Sequence, residues 1–251
     1  MTGGDDLAKR LKAHVSRPLP KRFYKEVAVT GDAPPLAIAL DGRPVRTPMK
    51  AALALPTRAL AEAVAREWRA QGKSIDPRAM PMTRLSNTAI DRVAGDRERI
   101  VGEIAAYTGS DLLCYRAEEP EGLVERQAEV WDPIVAWAED VLGGRFILVA
   151  GVVHRPQSDA VLEAFRARLH AFNAFELTAL HEMASLTGSA LLALAVAVGR
   201  LGADEAWAAA HLDEDWQIAQ WGPDTEAQAR RAARKADFDA AVDFLAMSRL
   251  E

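Results

Sequence analysis

Residues 36–48 read Leu-Ala-Ile-Ala-Leu-Asp-Gly-Arg-Pro-Val-Arg-Thr-Pro. Apolar residues on both sides of an Asp-Gly pair are a strong hairpin signal, because glycine accepts the positive φ of a tight primed turn. Residues 36–40 form one strand on this reading and 45–47 the returning one. Pro44 and Pro48 offer no N–H to a ladder, which puts the returning strand at a sheet edge. Upstream, 23–30 alternates weakly and stops at Gly31-Asp32-Ala33-Pro34-Pro35, a cluster of turn formers. Residues 51–55 are a further candidate strand.

The period then changes. Leu60, Val64 and Trp68 recur at i, i+4 and i+8, which predicts a helix over 58–71 with Thr57 as its N-cap and Gly72 as its stop. Residues 72–81 are irregular and rich in Pro and Met, so a boundary falls here. From this point the pattern is helical. Met82, Leu85, Ala89, Ile90 and Val93 make one stripe, 97–107 a second segment, and 123–142 a long helix carrying Trp131, Trp137 and an internal Pro133. Residues 145–153 are dense in apolar and β-branched side chains and read as a lone strand or a buried extended linker. Residues 158–172 are amphipathic. Residues 175–200 are apolar nearly all round, which predicts one helix in the middle of a bundle. Stretches 204–221 and 224–247 close the chain. The expected class is α+β: a flexible basic arm over 1–20, a β-rich domain with one helix over 21–80, and a mainly helical domain over 81–251.

Composition narrows the function. The 251 residues are 49% hydrophobic and 27% charged, with a formal net charge of −5, ordinary for a globular chain and poorly suited to gripping a phosphate backbone. The longest apolar run, 190–198, is far short of the roughly 20 residues a membrane helix needs. The N-terminus carries Asp5 and Asp6 and no apolar core, so no secretion signal is expected. The basic residues Lys9, Arg10, Lys12, Arg17, Lys21, Arg22 and Lys25 read as a solvated arm, or as a contact for an acidic partner or membrane surface. Cys114 is the single cysteine. It forms no internal disulfide, fits a reducing compartment, and in Asp-Leu-Leu-Cys-Tyr reads as a small buried hydrophobe.

The motifs that carry chemistry do not occur. There is no GxGxxG after a strand, no GxxxxGK[ST] and no GxSxG. His14, His154, His170, His181 and His211 include no HExxH pair, so no zinc site, cofactor or catalytic residue is expected. Glu118, Glu119 and Glu121 read as an exposed acidic loop.

The anomaly lies at Leu212-Asp213-Glu214-Asp215-Trp216-Gln217-Ile218-Ala219-Gln220-Trp221-Gly222. Projected as one helix over 204–221, it places Trp207, Ala210, His211, Glu214, Ile218 and Trp221 on one face, with Leu212, Trp216 and Ala219 opposite. Glu214 then sits in an apolar stripe between tryptophans, where an unpartnered carboxylate is costly. Either it pairs with His211 or with an arginine of another helix, or part of this stripe is a recognition surface anchored by Trp and charge. A hydrolase or transferase site built from Glu214 and His211, and a membrane-peripheral adaptor working through the basic arm, are the competing readings.

Several short motifs together resemble one family: Arg22-Phe23-Tyr24-Lys25; Leu40-Asp41-Gly42-Arg43-Pro44-Val45-Arg46-Thr47-Pro48; Pro81-Met82-Thr83-Arg84-Leu85 with Asn87-Thr88-Ala89-Ile90-Asp91; Asp111-Leu112-Leu113-Cys114-Tyr115-Arg116; and Gln217-Ile218 with Trp221-Gly222. In order and spacing, from about Arg22 to Phe244, the chain is similar to the assembly chaperones of the ATP synthase catalytic head that bind the free alpha subunit, found in mitochondria and alphaproteobacteria. The resemblance implies a small β-rich domain before a helical one, no catalysis, no cofactor, and a monomer that shields the alpha subunit until beta arrives. It also implies that a carboxylate before the Trp-Gly pair matters. Glu214 matches that position best, with Asp213 and Asp215 adjacent and Gln217, Ile218 and Trp221 completing the expected partner-binding set. The implied location is a bacterial cytoplasm, or the mitochondrial matrix in a eukaryote. Neither nucleic acid nor membrane insertion is part of that picture.

Overall fold

The computed structural model describes residues 18–151 and 155–249. The expected basic arm falls mostly outside these, as do His14 and His154. The architecture is α+β. Strands β1 (Val27–Thr30), β2 (Ala37–Leu40) and β3 (Arg43–Pro44) make an antiparallel sheet in that order, with Val27 opposite Leu40 and Leu40 opposite Arg43. Asp41 and Gly42 form the hairpin turn with φ of 46° and 77°, the primed geometry that follows strand twist. The Asp41 carboxylate accepts N–H bonds from Lys25 and Glu26 at 3.0 and 2.8 Å, which pins the turn to the chain entering β1. Those bonds, that from Glu26 first, hold its pKa below the usual carboxylate range. The expected strand over 51–55 shrinks to two isolated bridges, Leu36 to Leu55 and Arg46 to Ala52. Its alternation is real, since Leu53 and Leu55 are fully buried, and backbone bonds still tie it down: Leu36 and Leu55 exchange N–H bonds at 2.9 and 2.8 Å, and the Leu53 N–H reaches the Val45 carbonyl at 3.3 Å.

Helix α1 (Arg58–Ala70) packs on the sheet through Leu60 and Val64. The Thr57 hydroxyl caps it by accepting from the Leu60 N–H at 3.1 Å. It ends one residue before the expected glycine, at Gln71, whose backbone is extended. From α1, Glu67 reaches the start of α2 (Pro81–Thr88), accepting from the N–H of Met82 at 2.6 Å, and from the N–H and hydroxyl of Thr83 at 2.8 and 2.6 Å. A carboxylate there satisfies free amide donors and opposes the positive helix end. Helix α2 runs into a widened π turn, Ala89–Val93, closed by the Ala94 N–H on the Ala89 carbonyl. From this turn Asp91 accepts bonds from the Thr47 hydroxyl at 2.6 Å and the Met49 N–H at 3.0 Å.

The helical layer comprises α3 (Arg97–Gly109), α4 (Glu121–Leu142), α5 (Asp159–Leu169), α6 (Ala174–Thr187), α7 (Ala190–Ala197), α8 (Ala203–Ala210), α9 (Leu212–Trp221) and α10 (Thr225–Ser248). The single helix expected over 175–200 is two. Gly188 ends α6 at φ 70°, and Ser189 turns extended and caps α7 through the Leu192 N–H. Uniform apolarity concealed that break, because a buried helix has no polar face to lose phase against. All eight residues of α7 are buried, and α3, α4, α6, α8 and α10 surround it. The long α10 lies along α6 and returns to α1, where the Thr57 hydroxyl donates to the Met247 carbonyl. One apolar cluster thus runs from Tyr24 to Leu245. The lone strand expected within 145–153 has a partner: β5 (Val149–Ala150) pairs in parallel with β4 (Tyr115–Arg116). Val152 and Val153 lie outside the described residues. Cys114 is buried as expected, its thiol pushed up to about 12 by desolvation and then by the Asp111 charge.

Asp111 anchors the layer. Fully buried, it accepts the N–H groups of Leu113 at 3.1 Å and Leu191 at 3.0 Å, and a bond from the Ser189 side chain. Burial pushes its pKa up to about 6 against those bonds, whereas in the unfolded chain it titrates near ~4. Between the two values the native state holds the proton and the unfolded state does not. Its contribution to stability therefore falls as pH rises from about 4 to about 6. Urea denaturation of Asp111→Asn is expected to lose that segment of the pH dependence, on the order of 2–3 kcal/mol relative to wild type. Asp111→Ala, which orphans the two amide donors, is expected to cost about 2 kcal/mol at neutral pH. Superimposable pH profiles for wild type and Asp111→Asn would refute this role.

Candidate functional site

The anomalous segment is not one helix. At His211 the backbone leaves helical geometry (φ −114°, ψ 19°), separating α8 from α9. Angles projected across such a break do not carry over. Trp207 and His211 are buried and stacked on each other at 3.8 Å, with His211 Nδ1 against the Trp207 carbonyl. Desolvation lowers the His211 pKa, which favours the neutral ring. Glu214, by contrast, is exposed. The expectation of a carboxylate inside a tryptophan-lined apolar stripe is thereby corrected. The break also explains the acidic triplet locally: Asp213, Glu214 and Asp215 occupy the first turn of α9, where negative charge opposes the helix dipole.

The three acids do different things. Asp213 accepts a 2.7 Å bond from the amide of Gln127, a buried residue of α4 whose own carbonyl takes the Ala117 N–H at 2.8 Å. It therefore ties α9 to α4. Asp215 forms an ion pair with Arg231 of α10, and the Arg231 Nε lies 3.8 Å from Glu214. Glu214 is thus loosely paired with an arginine from another helix, while Asp215 holds that arginine closely. Leu212 is buried, and Trp216 lies half-buried over Gly122 of α4. A Cβ at Gly122 would come within 2.9 Å of the tip of the indole, so any larger residue there would make Trp216 shift.

Past Trp221 the chain turns through Gly222, at φ 83° and ψ 165°, a conformation open essentially to glycine. Pro223 follows, and Asp224 caps α10 by accepting from the Ala227 N–H at 2.8 Å. Helices α9 and α10 leave between them a groove of about 280 Å3, lined by Glu214, Gln217, Ile218, Trp221, Asp224 and Arg231. Trp221 stands at its mouth with 88% of its surface exposed. The fold thus gathers four of the six sequence-predicted residues, Glu214, Gln217, Ile218 and Trp221, into one concave surface. Asp213 faces α4, and Asp215 borders a second groove, of about 430 Å3, between α4 and α8–α9. His211 does not line the groove that holds Glu214, so the paired acid and base of a hydrolytic site are not assembled there.

Sequence reasoning missed Arg231 and Asp224. The signal was present: Arg230 and Arg231 follow the acidic triplet across a Gly-Pro turn, and a hairpin of helices brings such opposite charges face to face. Among the described residues, no cluster of three His, Cys, Asp or Glu side chains is placed to hold a metal ion, and no helix is long and apolar enough to cross a membrane.

Comparison with known proteins puts this molecule among chaperones. Residues 21–139 match the family model described as ATP12 chaperone protein. The mitochondrial protein atp12 of Schizosaccharomyces pombe is 29% identical over 223 residues, spanning 82% of this chain and 77% of that one. The solved Atu1473 protein of Agrobacterium tumefaciens is 48% identical with a TM-score of 0.87, covering 99% of this chain and 93% of its own. An aspartate-to-lysine mutant of Paracoccus denitrificans Atp12p is 42% identical with a TM-score of 0.86, covering 92% of this chain and 98% of its own. The chain belongs to the ATP12 chaperone family.

Truncations separate the anchored carboxylate from the free aromatic. Asp213→Ala is expected to lower the unfolding free energy by about 1–2 kcal/mol, because it leaves the buried Gln127 amide unsatisfied. Trp221→Ala is expected to change it by less than about 0.5 kcal/mol. Thermal or urea unfolding checks both, and the reverse order would mean that Trp221, not Asp213, secures α9.

Proposed function

We propose that this ATP synthase assembly chaperone holds the unassembled alpha subunit through the α9–α10 groove, keeping it from aggregating until beta joins it. The observation that carries the reading is Trp221, a large aromatic exposed almost completely beside a carboxylate and an arginine that are only partly engaged with each other. Aromatic residues and charges of this kind anchor protein interfaces. An unassembled subunit of an obligate complex exposes an apolar interface that must be covered. The cover must also leave. A polar, ion-paired groove suits that task, because its charges direct recognition more than they deepen affinity. The protein acts as a monomer, in a bacterial cytoplasm or in a mitochondrial matrix, and its partner set includes neither nucleic acid nor a membrane. Family membership supports a binding role in place of catalysis.

Glu214 is the residue on which this reading turns. Glu214→Lys puts a positive charge beside Arg231, yet Asp215 still pairs with that arginine, so the stability change is expected to stay within about 1 kcal/mol. Light scattering of isolated alpha subunit should show suppression of aggregation by wild-type protein, and its loss with Glu214→Lys and with Trp221→Ala. A collapse of thermal stability in Glu214→Lys would make the carboxylate a structural partner. Equal protection of unrelated unfolding proteins would reduce the protein to a general holdase.

A further inference from the structure

A second surface is built from the N-terminal sheet and α1 and shares no lining residue with the α9–α10 groove. It is a hollow of about 550 Å3 between α1 and the β2–β3 edge. Its apolar wall is a chain of aromatic rings. Phe23 meets Tyr24 edge-on at 5.4 Å, and Tyr24 meets Trp68 at 5.6 Å. Tyr24 is buried and hydrogen-bonded to the Trp68 carbonyl at 2.6 Å, so it is fixed in place. Phe23, by contrast, is 73% exposed, and nothing in the described fold covers its outer side.

The opposite wall carries Arg43, Pro44, Val45 and Arg46. Arg46 spends one guanidinium nitrogen on the Lys50 carbonyl at 2.9 Å. The Arg43 guanidinium makes no hydrogen bond or ion pair with a described residue and feels the Asp41 carboxylate only through space. The Arg22 guanidinium sits over the Tyr24 ring at 4.7 Å and adds positive charge behind it. Asp41 is the one acid in the lining; its bonds from the Lys25 and Glu26 N–H groups favour its ionised form, so one negative charge stands against Arg22, Arg43 and Arg46. The hollow is therefore locally basic on a chain whose net charge is −5. Pro44 has no N–H to offer at this sheet edge, so recognition falls to side chains and not to an added strand.

We infer that this hollow is a second docking site, which takes an acidic segment of a client protein with an aliphatic or aromatic side chain between its carboxylates. The apolar anchor packs on Phe23, and the flanking carboxylates meet Arg43 and Arg46. An arginine fork matches a carboxylate in geometry as well as charge. The charge pattern favours such a peptide over a nucleotide. The lining contains no helix N-terminus or glycine-rich loop to cradle phosphates, and a rim residue as exposed as Phe23 asks for a partner larger than one base.

Fluorescence anisotropy with the full chain tests this directly. The probe is a fluorescein-labelled peptide of alternating Glu and Leu, and the controls are its Lys–Leu counterpart and ATP. The Glu–Leu peptide is expected to bind saturably, more tightly at low salt, with Phe23→Ser and Arg43→Glu each weakening it at least about fivefold. Both side chains are exposed, so circular dichroism should be unchanged. Glu214→Lys should leave peptide binding intact, which separates this site from the α9–α10 reading: either can fail while the other stands. No binding of the acidic peptide, equal binding of the basic one, equal binding by both variants, or competition by ATP for the same site would each overturn the proposal.

Discussion

The molecule depends on a buried carboxylate. Asp111 sits out of water at the start of α7, the helix around which five others pack, and answers amide donors from two separate segments. A charge in such a place is tolerated only because backbone and side-chain donors replace the water it has lost. The same device recurs at lower burial. Glu67 of α1 caps α2, Asp91 of the π turn holds the loop after β3, Asp41 holds the chain before β1, and Asp213 holds α9 to α4. Each joins elements that a hydrophobic core would leave free to slide, since apolar contact is non-directional and a hydrogen bond is not.

This pattern bears on how the α9–α10 surface is built. Of three successive acids, one is committed to the fold, one to an ion pair with Arg231, and one is left loosely held. Leu212 and the Trp216 indole seat the helix from beneath, with the indole packed closely over Gly122. The exposed residues are thus presented by a helix fixed on its inner side. That lowers the ordering cost when a partner meets them. The hollow at Phe23 follows the same logic, with a buried tyrosine supporting an exposed phenylalanine.

Much of the fold was legible because its signals are local. Asp41-Gly42 announced the hairpin, Thr57 the first cap, and Cys114 its own burial. Legibility failed where the deciding event was a single residue inside a continuous pattern. Gly188 and Ser189 part α6 from α7 within an unbroken apolar run, and His211 parts α8 from α9 within an unbroken helical one. The second break rotated the face on which Glu214 was first placed. Its consequence was to exchange a buried carboxylate for an exposed one. The groove partners Arg231 and Asp224 come from the next helix, and one-dimensional periodicity does not contain that meeting. The pairing of β4 with β5 was hidden for a similar reason, since each strand has only two residues.

The π turn at Ala89–Val93 has a consequence of its own. One additional residue in a helical turn shifts everything after it by about 100° of azimuth relative to an uninterrupted helix. Asp91 lies within that turn, and through it the loop bearing Thr47 and Met49 is aimed. The helix stops at Ala94 and α3 starts at Arg97 after a break, so the extra residue acts within the turn itself, where it aims Asp91. A deletion or insertion within this turn would swing Asp91 off the loop it holds, so the loop after β3 depends on the count of residues in a helix that never touches its backbone ladder.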